Sequence, residues 1–215
     1  FDLDKNSDQD TDLPHMLPTK EKWEEIVSSM GISNTDRIVI YDNSDVLSSC
    51  RGWYNFIYFG HDKHLVSVLD GGLKKWLIEY RKTTSEKTIL NNSTYRATEN
   101  KNMVKSIFEI NENIEKKNFT VIDARSKERF NGSVPDPRKN VRSGSIPNSV
   151  CLPFKEIINS SDNTFKGVSE ISKKFSEIID LNDDKRVFSC GSGITACVLG
   201  LAYSLVNNTY SPTVY

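Results

Sequence analysis

Two stretches of this chain repeat one another, and few folds can hold both. Asp36-Arg37-Ile38-Val39-Ile40-Tyr41-Asp42 is an apolar run that ends at a polar turn and leads into a buried helix, and Lys185-Arg186-Val187-Phe188-Ser189-Cys190 does the same. The preceding helices correspond as well, one stopping at Gly31 and the other near Ile179. Continuous apolar runs alternating with helices are the pattern of parallel strands covered on both faces. The chain therefore reads as α/β, one unit used twice. On this alignment Asp42 falls near Cys190, so the first half has an acid where the second has a nucleophile. Thr213-Val214-Tyr215 aligns with the strand Val66-Ser67-Val68-Leu69, and nothing follows to match Asp70-Gly71-Gly72-Leu73-Lys74-Lys75-Trp76. Phe1-Asp2-Leu3-Asp4 has neither an initiator Met nor the basic and apolar regions of a signal peptide. Both domains are thus expected to be cut short, the first at its N-terminal side and the second at its C-terminal side.

The chemistry sits in the second copy. Arg186 to Ser189 reads as a strand, Cys190-Gly191-Ser192-Gly193 as a tight loop, and Ile194-Thr195-Ala196 as the start of a helix that is apolar almost all round up to Val206. A loop between a strand end and a helix start turns backbone N–H groups and the positive end of the helix dipole toward its contents. Here the contents are the Cys190 sulfur. A thiolate gains from those dipoles, and no acidic side chain in the loop opposes it. Gly191 and Gly193 leave room for the amides to converge.

Other readings of the same residues are weaker. A buried packing cysteine needs no glycines behind it. A cysteine phosphatase needs an arginine closing the loop five residues on, to clamp phosphate, and that position is Ala196. Gly191-x-Gly193-x-x-Ala196 fits a loose dinucleotide fingerprint, but the acid expected about 20 residues later does not occur. Cys190 and Cys197 are too far apart for a redox Cys-x-x-Cys pair.

Composition narrows the class further. The 215 residues are 27% charged with a formal net charge of −1, so there is no basic surplus to suggest nucleic acid. The longest apolar run, Ile194 to Val206, is too short for a bilayer. Four unevenly spaced cysteines suit a reduced compartment better than a disulfide scaffold. His61 and His64 are spaced like a metal pair, but they lie in a polar turn with no third ligand, so both are read as solvent-exposed and no metal is expected. Residues 83–102, rich in Thr, Ser, Asn, Lys and Glu, read as a linker between a first domain (1–82) and a second (103–215).

Taken together these residues resemble the tandem rhodanese sulfurtransferases, whose first domain is inactive and whose second carries a cysteine loop. Cys190-Gly191-Ser192-Gly193-Ile194-Thr195 is similar to the loop of the 3-mercaptopyruvate sulfurtransferases. Asp123-Ala124-Arg125 through Arg129-Phe130, then Pro135-Asp136-Pro137-Arg138, is similar to that family's substrate-binding run. Leu69-Asp70-Gly71-Gly72-Leu73 and His15-Met16-Leu17-Pro18 match as well. The sequence departs from the family at Asn148, where the turn after Ile146-Pro147 usually has Gly, and at Ser145, where it usually has His.

The resemblance implies two tandem rhodanese-like α/β domains, each a mainly parallel sheet with helices on both faces, meeting at the active site. It implies that Cys190 takes sulfur from a small-molecule donor as a persulfide and passes it to a thiol acceptor such as thioredoxin or a small thiol, or to cyanide, without a cofactor. Arg129 and Arg138 would grip the donor's carboxylate, with Gly191, Gly193, Ile194 and Thr195 lining the loop. Asp4, His15 and Ser192 would form a relay that stabilises or protonates the departing enolate of pyruvate. Thiosulfate-specialised relatives carry basic residues after the cysteine; Gly191 and Ser192 are neutral, which favours the keto acid. A thiosulfate:cyanide sulfurtransferase, a persulfide-binding module and a redox sensor are the alternatives. The expected location is cytoplasmic, or mitochondrial in a eukaryote.

Overall fold

The computed structural model describes residues 1–137, 141–182 and 185–215. In the first unit, α1 (Lys20–Ser29) starts where the Thr19 hydroxyl accepts the Lys22 amide at 3.2 Å. It buries Trp23, Ile26 and Val27 and stops at Gly31, whose φ of +71° suits glycine. β1 (Ile38–Ile40) pairs in parallel with β2 (Val66–Val68) across α2 (Ser49–Tyr58), and α3 (Gly72–Ile78) follows. The second unit contributes α4 (Ile107–Lys116), β3 (Thr120–Asp123), α5 (Lys127–Asn131), β4 (Val150–Cys151), α6 (Val168–Ser176), β5 (Arg186–Ser189) and α7 (Ile194–Val206). Its parallel sheet runs β4-β3-β5, and bridges from Phe188 to Val214 and from Val214 to Val104 extend it.

The sequence repeat is visible bond by bond. The Leu69 N–H donates to the Ile40 carbonyl at 2.8 Å, and the Tyr215 N–H donates to the Phe188 carbonyl at 2.9 Å. Two residues beyond Ile40 is Asp42, and two beyond Phe188 is Cys190. The acid and the nucleophile therefore occupy equivalent strand ends.

Two expectations need correction. All of β5 is buried, as are Val121, Ile122 and Asp123 of β3, but Val39 of β1 is 58% exposed and the following Tyr41 is 62% exposed. Coverage on both faces thus holds for the second sheet and not for β1. His61 is also not at the surface. Its ring stacks on Tyr95 with centroids 5.8 Å apart, and its Nε2 lies 3.0 Å from the Asp36 carbonyl. His64 is exposed, as expected.

Within the stretch whose composition reads as a linker, residues 93–100 have no regular structure but are held closely. Thr98 and Asn100 N–H groups donate to the Phe59 and Tyr58 carbonyls, at 2.9 and 2.7 Å, and Tyr95 and Ala97 are buried. Backbone hydrogen bonds to the exposed carbonyl end of α2 take the place of a strand ladder here.

The units share one hydrophobic core, because α7 is buried nearly all round and packs directly on α2. Val198 and Leu199 are fully buried, worth about 1.5–3 kcal/mol each. A second contact comes from Asp70-Gly71-Gly72. Asp70 accepts the Phe165 amide at 2.8 Å and Lys74 donates to the Ser160 carbonyl at 2.8 Å. Gly71 has φ +82°, and a Cβ there would lie 2.9 Å from the Asp162 carbonyl.

Candidate active site

β5 ends just before Cys190 and α7 begins four residues later, so the loop between them is short. The Gly193 N–H donates to Cys190 Sγ at 3.2 Å. Gly193 takes φ +77°, and any Cβ there would run into Nη1 of Arg51. Cys190, Gly191, Ser192, Ile194 and Thr195 are all half-buried, forming a mouth rather than a sealed cavity. One turn below, the buried Cys197 thiol donates to the Gly193 carbonyl at 2.9 Å, and burial pushes its pKa up to about 12.

On the neighbouring strand, Asp123 ends β3 and holds Arg125 in a bidentate pair, with contacts at 2.7 to 3.1 Å. Arg125 also donates to the Gly144 carbonyl at 2.7 Å and lies 3.8 Å from Asp136. The Asp123 carboxylate raises the Arg125 pKa against an opposing effect of burial; Asp136 and Cys190 add to the rise, so this cation is in electrostatic reach of the nucleophile. Arg129, on α5, donates to Asp136, whose side chain is almost wholly buried. The Arg129 Nε is buried with no hydrogen-bond partner among the described residues. Arg138 lies outside the described residues.

The N-terminal loop brings Asp4 and His15 together, Nε2 to Oδ1 at 2.8 Å. His15 adopts φ +60°, and its Nδ1 is buried without a partner among the described residues. Among the described residues no hydrogen bond joins Ser192 to His15. The link that does exist runs through a residue not singled out above. Arg51 of α2 donates from Nη2 to the His15 carbonyl at 2.6 Å and from Nη1 to the Gly193 carbonyl at 3.2 Å. Its sequence neighbourhood, an aromatic helix, gives no hint that its partners lie 36 and 142 residues away.

At the equivalent strand end in the first unit, the Asp42 carboxylate accepts the Ser49 amide, the Ser48 hydroxyl at 3.4 Å and the Ser44 amide at 3.1 Å. That half of the repeat holds a fixed anion of its own. Asn148 adopts φ +63°, the left-handed conformation glycine would supply, and its side chain donates to the Ile114 carbonyl at 2.9 Å. The turn geometry survives the departure from the family pattern. All four cysteines are free, and among the described residues no group of His, Cys, Asp and Glu is placed to hold a metal. Among the described residues no helix is long and apolar enough to cross a membrane.

A family model described as Rhodanese-like domain matches residues 5–79 and 107–215. Thiosulfate/3-mercaptopyruvate sulfurtransferase 1, mitochondrial, of Arabidopsis thaliana is 38% identical across 99% of this chain and 61% of its own length. The 3-mercaptopyruvate sulfurtransferase of Rattus norvegicus is 38% identical across 93% of this chain and 68% of its own. The chain thus spans roughly two thirds of these relatives or somewhat less. Among solved structures, that of SseA from Escherichia coli, a 3-mercaptopyruvate sulfotransferase with the rhodanese fold, superposes with a TM-score of 0.87 at 28% identity, covering 100% of this chain and 79% of that one.

Proposed function

The chain belongs to the rhodanese-like family, and from that premise we propose that it is a sulfurtransferase that takes sulfur from 3-mercaptopyruvate onto Cys190. The observation that carries this reading is the Gly193 N–H directed at Cys190 Sγ from the N-cap of a buried helix. Dipoles that stabilise a thiolate there also stabilise the persulfide anion that replaces it. In the first step the thiolate attacks the donor's sulfur; the S–S bond forms, the C–S bond breaks, and its electron pair leaves on the enolate of pyruvate. The enolate then takes a proton. Ser192 is the hydroxyl of the loop that would serve that transfer, and Asp4 and His15, already paired through Nε2, would orient it. In the second step a thiol, thioredoxin or a small one, or cyanide removes the outer sulfur and restores the thiolate.

Donor choice follows from charge. Gly191 and Ser192 put no cation beside the sulfur, so the donor's charge is met by Arg129, with Arg138 as its partner, through planar two-point contacts to one carboxylate. Gly191, Gly193, Ile194 and Thr195 shape the loop around the transferred sulfur. A cytoplasmic or mitochondrial setting suits four free thiols. The test is intact mass after brief exposure of the full-length protein to 3-mercaptopyruvate. A gain of one sulfur on the Cys190 peptide, removed by reductant and accompanied by pyruvate, is expected; a protein that gains oxygen from peroxide but no sulfur would be a sensor instead.

A further inference from the structure

Arg51 is a charge in an unusual place. It is 6% exposed, and among the described residues no carboxylate lies within ion-pair distance of it. Its partners are neutral: the Asn55 side-chain oxygen at 2.8 Å, the His15 and Gly193 carbonyls, the buried Cys197 thiol, and the face of Tyr54, 5.7 Å from the guanidinium carbon to the ring centroid. A buried cation without a counter-charge is costly, so its retention calls for an anion elsewhere. Through the Gly193 carbonyl it touches the loop of Cys190, the group that is anionic in the reaction proposed above. Its reach is chemical as well as spatial. Nη1 polarises the Gly193 carbonyl, and the other end of that peptide is the Ile194 N–H, one of the first-turn amides of α7 that no helical carbonyl satisfies.

We infer that Arg51, supplied by the domain that has no nucleophile, is a positioning residue that stabilises the negative charge on Cys190 through the Gly193 peptide while seating the His15 loop over it. This deepens the sulfurtransferase reading and rests on it. It gives the first domain a part in the chemistry beyond scaffolding.

Other titratable groups bear on the same sulfur. Arg125 approaches from the β3 side, already paired with Asp123 and Asp136; the Asp4–His15 pair comes from the N-terminal loop; Cys197 and Tyr54 lie below, both with pKa values raised by burial. None of these except Arg125 is a permanent cation, and Arg125 is neutralised by its own carboxylates.

The experiment is the pH dependence of Cys190 alkylation by iodoacetamide in the full-length protein without donor, read by peptide mass in wild type, Arg51→Gln and Arg51→Lys. For Arg51→Gln we expect the profile to move up by about one pH unit, roughly a tenfold loss of reactive thiolate below the transition. A single ammonium can serve only one of the two carbonyls, so Arg51→Lys is expected to lose about threefold. An unmoved profile in folded Arg51→Gln overturns the inference. Should that variant not fold, Arg51→Lys decides, and a profile identical to wild type overturns it. A merely structural arginine would lower Tm and leave the profile in place. Because no donor is present, failure here is distinct from failure of the wild type to gain sulfur from 3-mercaptopyruvate, which would sink the reading itself.

Discussion

Arg129 is half fixed before any ligand arrives. Asp136 holds one edge of its guanidinium, and among the described residues the Nε has no partner, so the planar group is set in orientation with donors to spare. An ammonium cannot both satisfy Asp136 and present a second in-plane contact. Arg129→Lys is therefore expected to lower kcat/KM for 3-mercaptopyruvate by about ten- to a hundredfold, the loss of one charge-assisted hydrogen bond. Steady-state pyruvate release checks this, and normal turnover would remove Arg129 from the substrate site. The cysteines give a second expectation at this scale. Burial holds Cys197 at about 12 and Cys151 at about 11, and places Cys50 well above its ordinary value. At pH 8 these three remain thiols, so iodoacetamide should label Cys190 first; early labelling of Cys151 would contradict the assignment. Cys190 and its glycines were legible in the sequence because a strand end, a cysteine and a helix start are local features. Arg51 was not, because nothing in an aromatic helix announces a carbonyl 142 residues away.

At the scale of single elements, α4 shows how one charge can hold a helix start. Ser106 and Glu109 form a reciprocal capping box, and the Lys105 ammonium lies 2.7 Å from Glu109. Lys105 first, then the Ser106 amide and hydroxyl, hold the Glu109 carboxyl at about 2, below its ordinary 4.5. A carboxyl depressed in the folded state stabilises above its unfolded value and stops doing so as pH falls through the folded one. Glu109→Gln should thus lower Tm at neutral pH, with the gap to wild type closing between about pH 4.5 and 2; an equal gap at every pH would show that the charge is irrelevant. The turn at Asn148 offers a contrasting case. Asn148→Gly relieves a left-handed side chain and loses one hydrogen bond, so stability should change by less than about 1 kcal/mol, whereas a β-branched residue there should cost more. Chemical denaturation separates the two. The apolar runs predicted the strands well, since β3 and β5 are buried. They overstated β1, because hydrophobicity alone does not say what will cover a strand. They also missed the way 93–100 clings to α2, since a polar, aperiodic segment can be held by backbone groups that composition does not register.

Across the whole molecule, α2 and α7 lie against each other and one apolar core serves both units. Separate folding of the two halves would expose that contact to water. The chain should therefore unfold in one cooperative transition, with probes near Trp23 and near Tyr203 melting together in calorimetry and fluorescence. Two resolved transitions would mean that the shared core contributes less than its area implies. The same joint explains how Arg51 of one half reaches both the His15 and the Gly193 carbonyls. The pairing of Asp42 with Cys190 carries a last implication. In one copy the charged atom is a carboxylate oxygen that cannot accept sulfur; in the other it is a sulfur that, on the proposed reaction, gains and loses a second sulfur. The proposed reaction thus sets a strand end with a fixed anion against an equivalent strand end whose anion would change with each cycle. The Ser44, Ser48 and Ser49 contacts to Asp42 hold a group that does not change, whereas the proposed reaction asks the Cys190 loop to accommodate first a thiolate and then a persulfide.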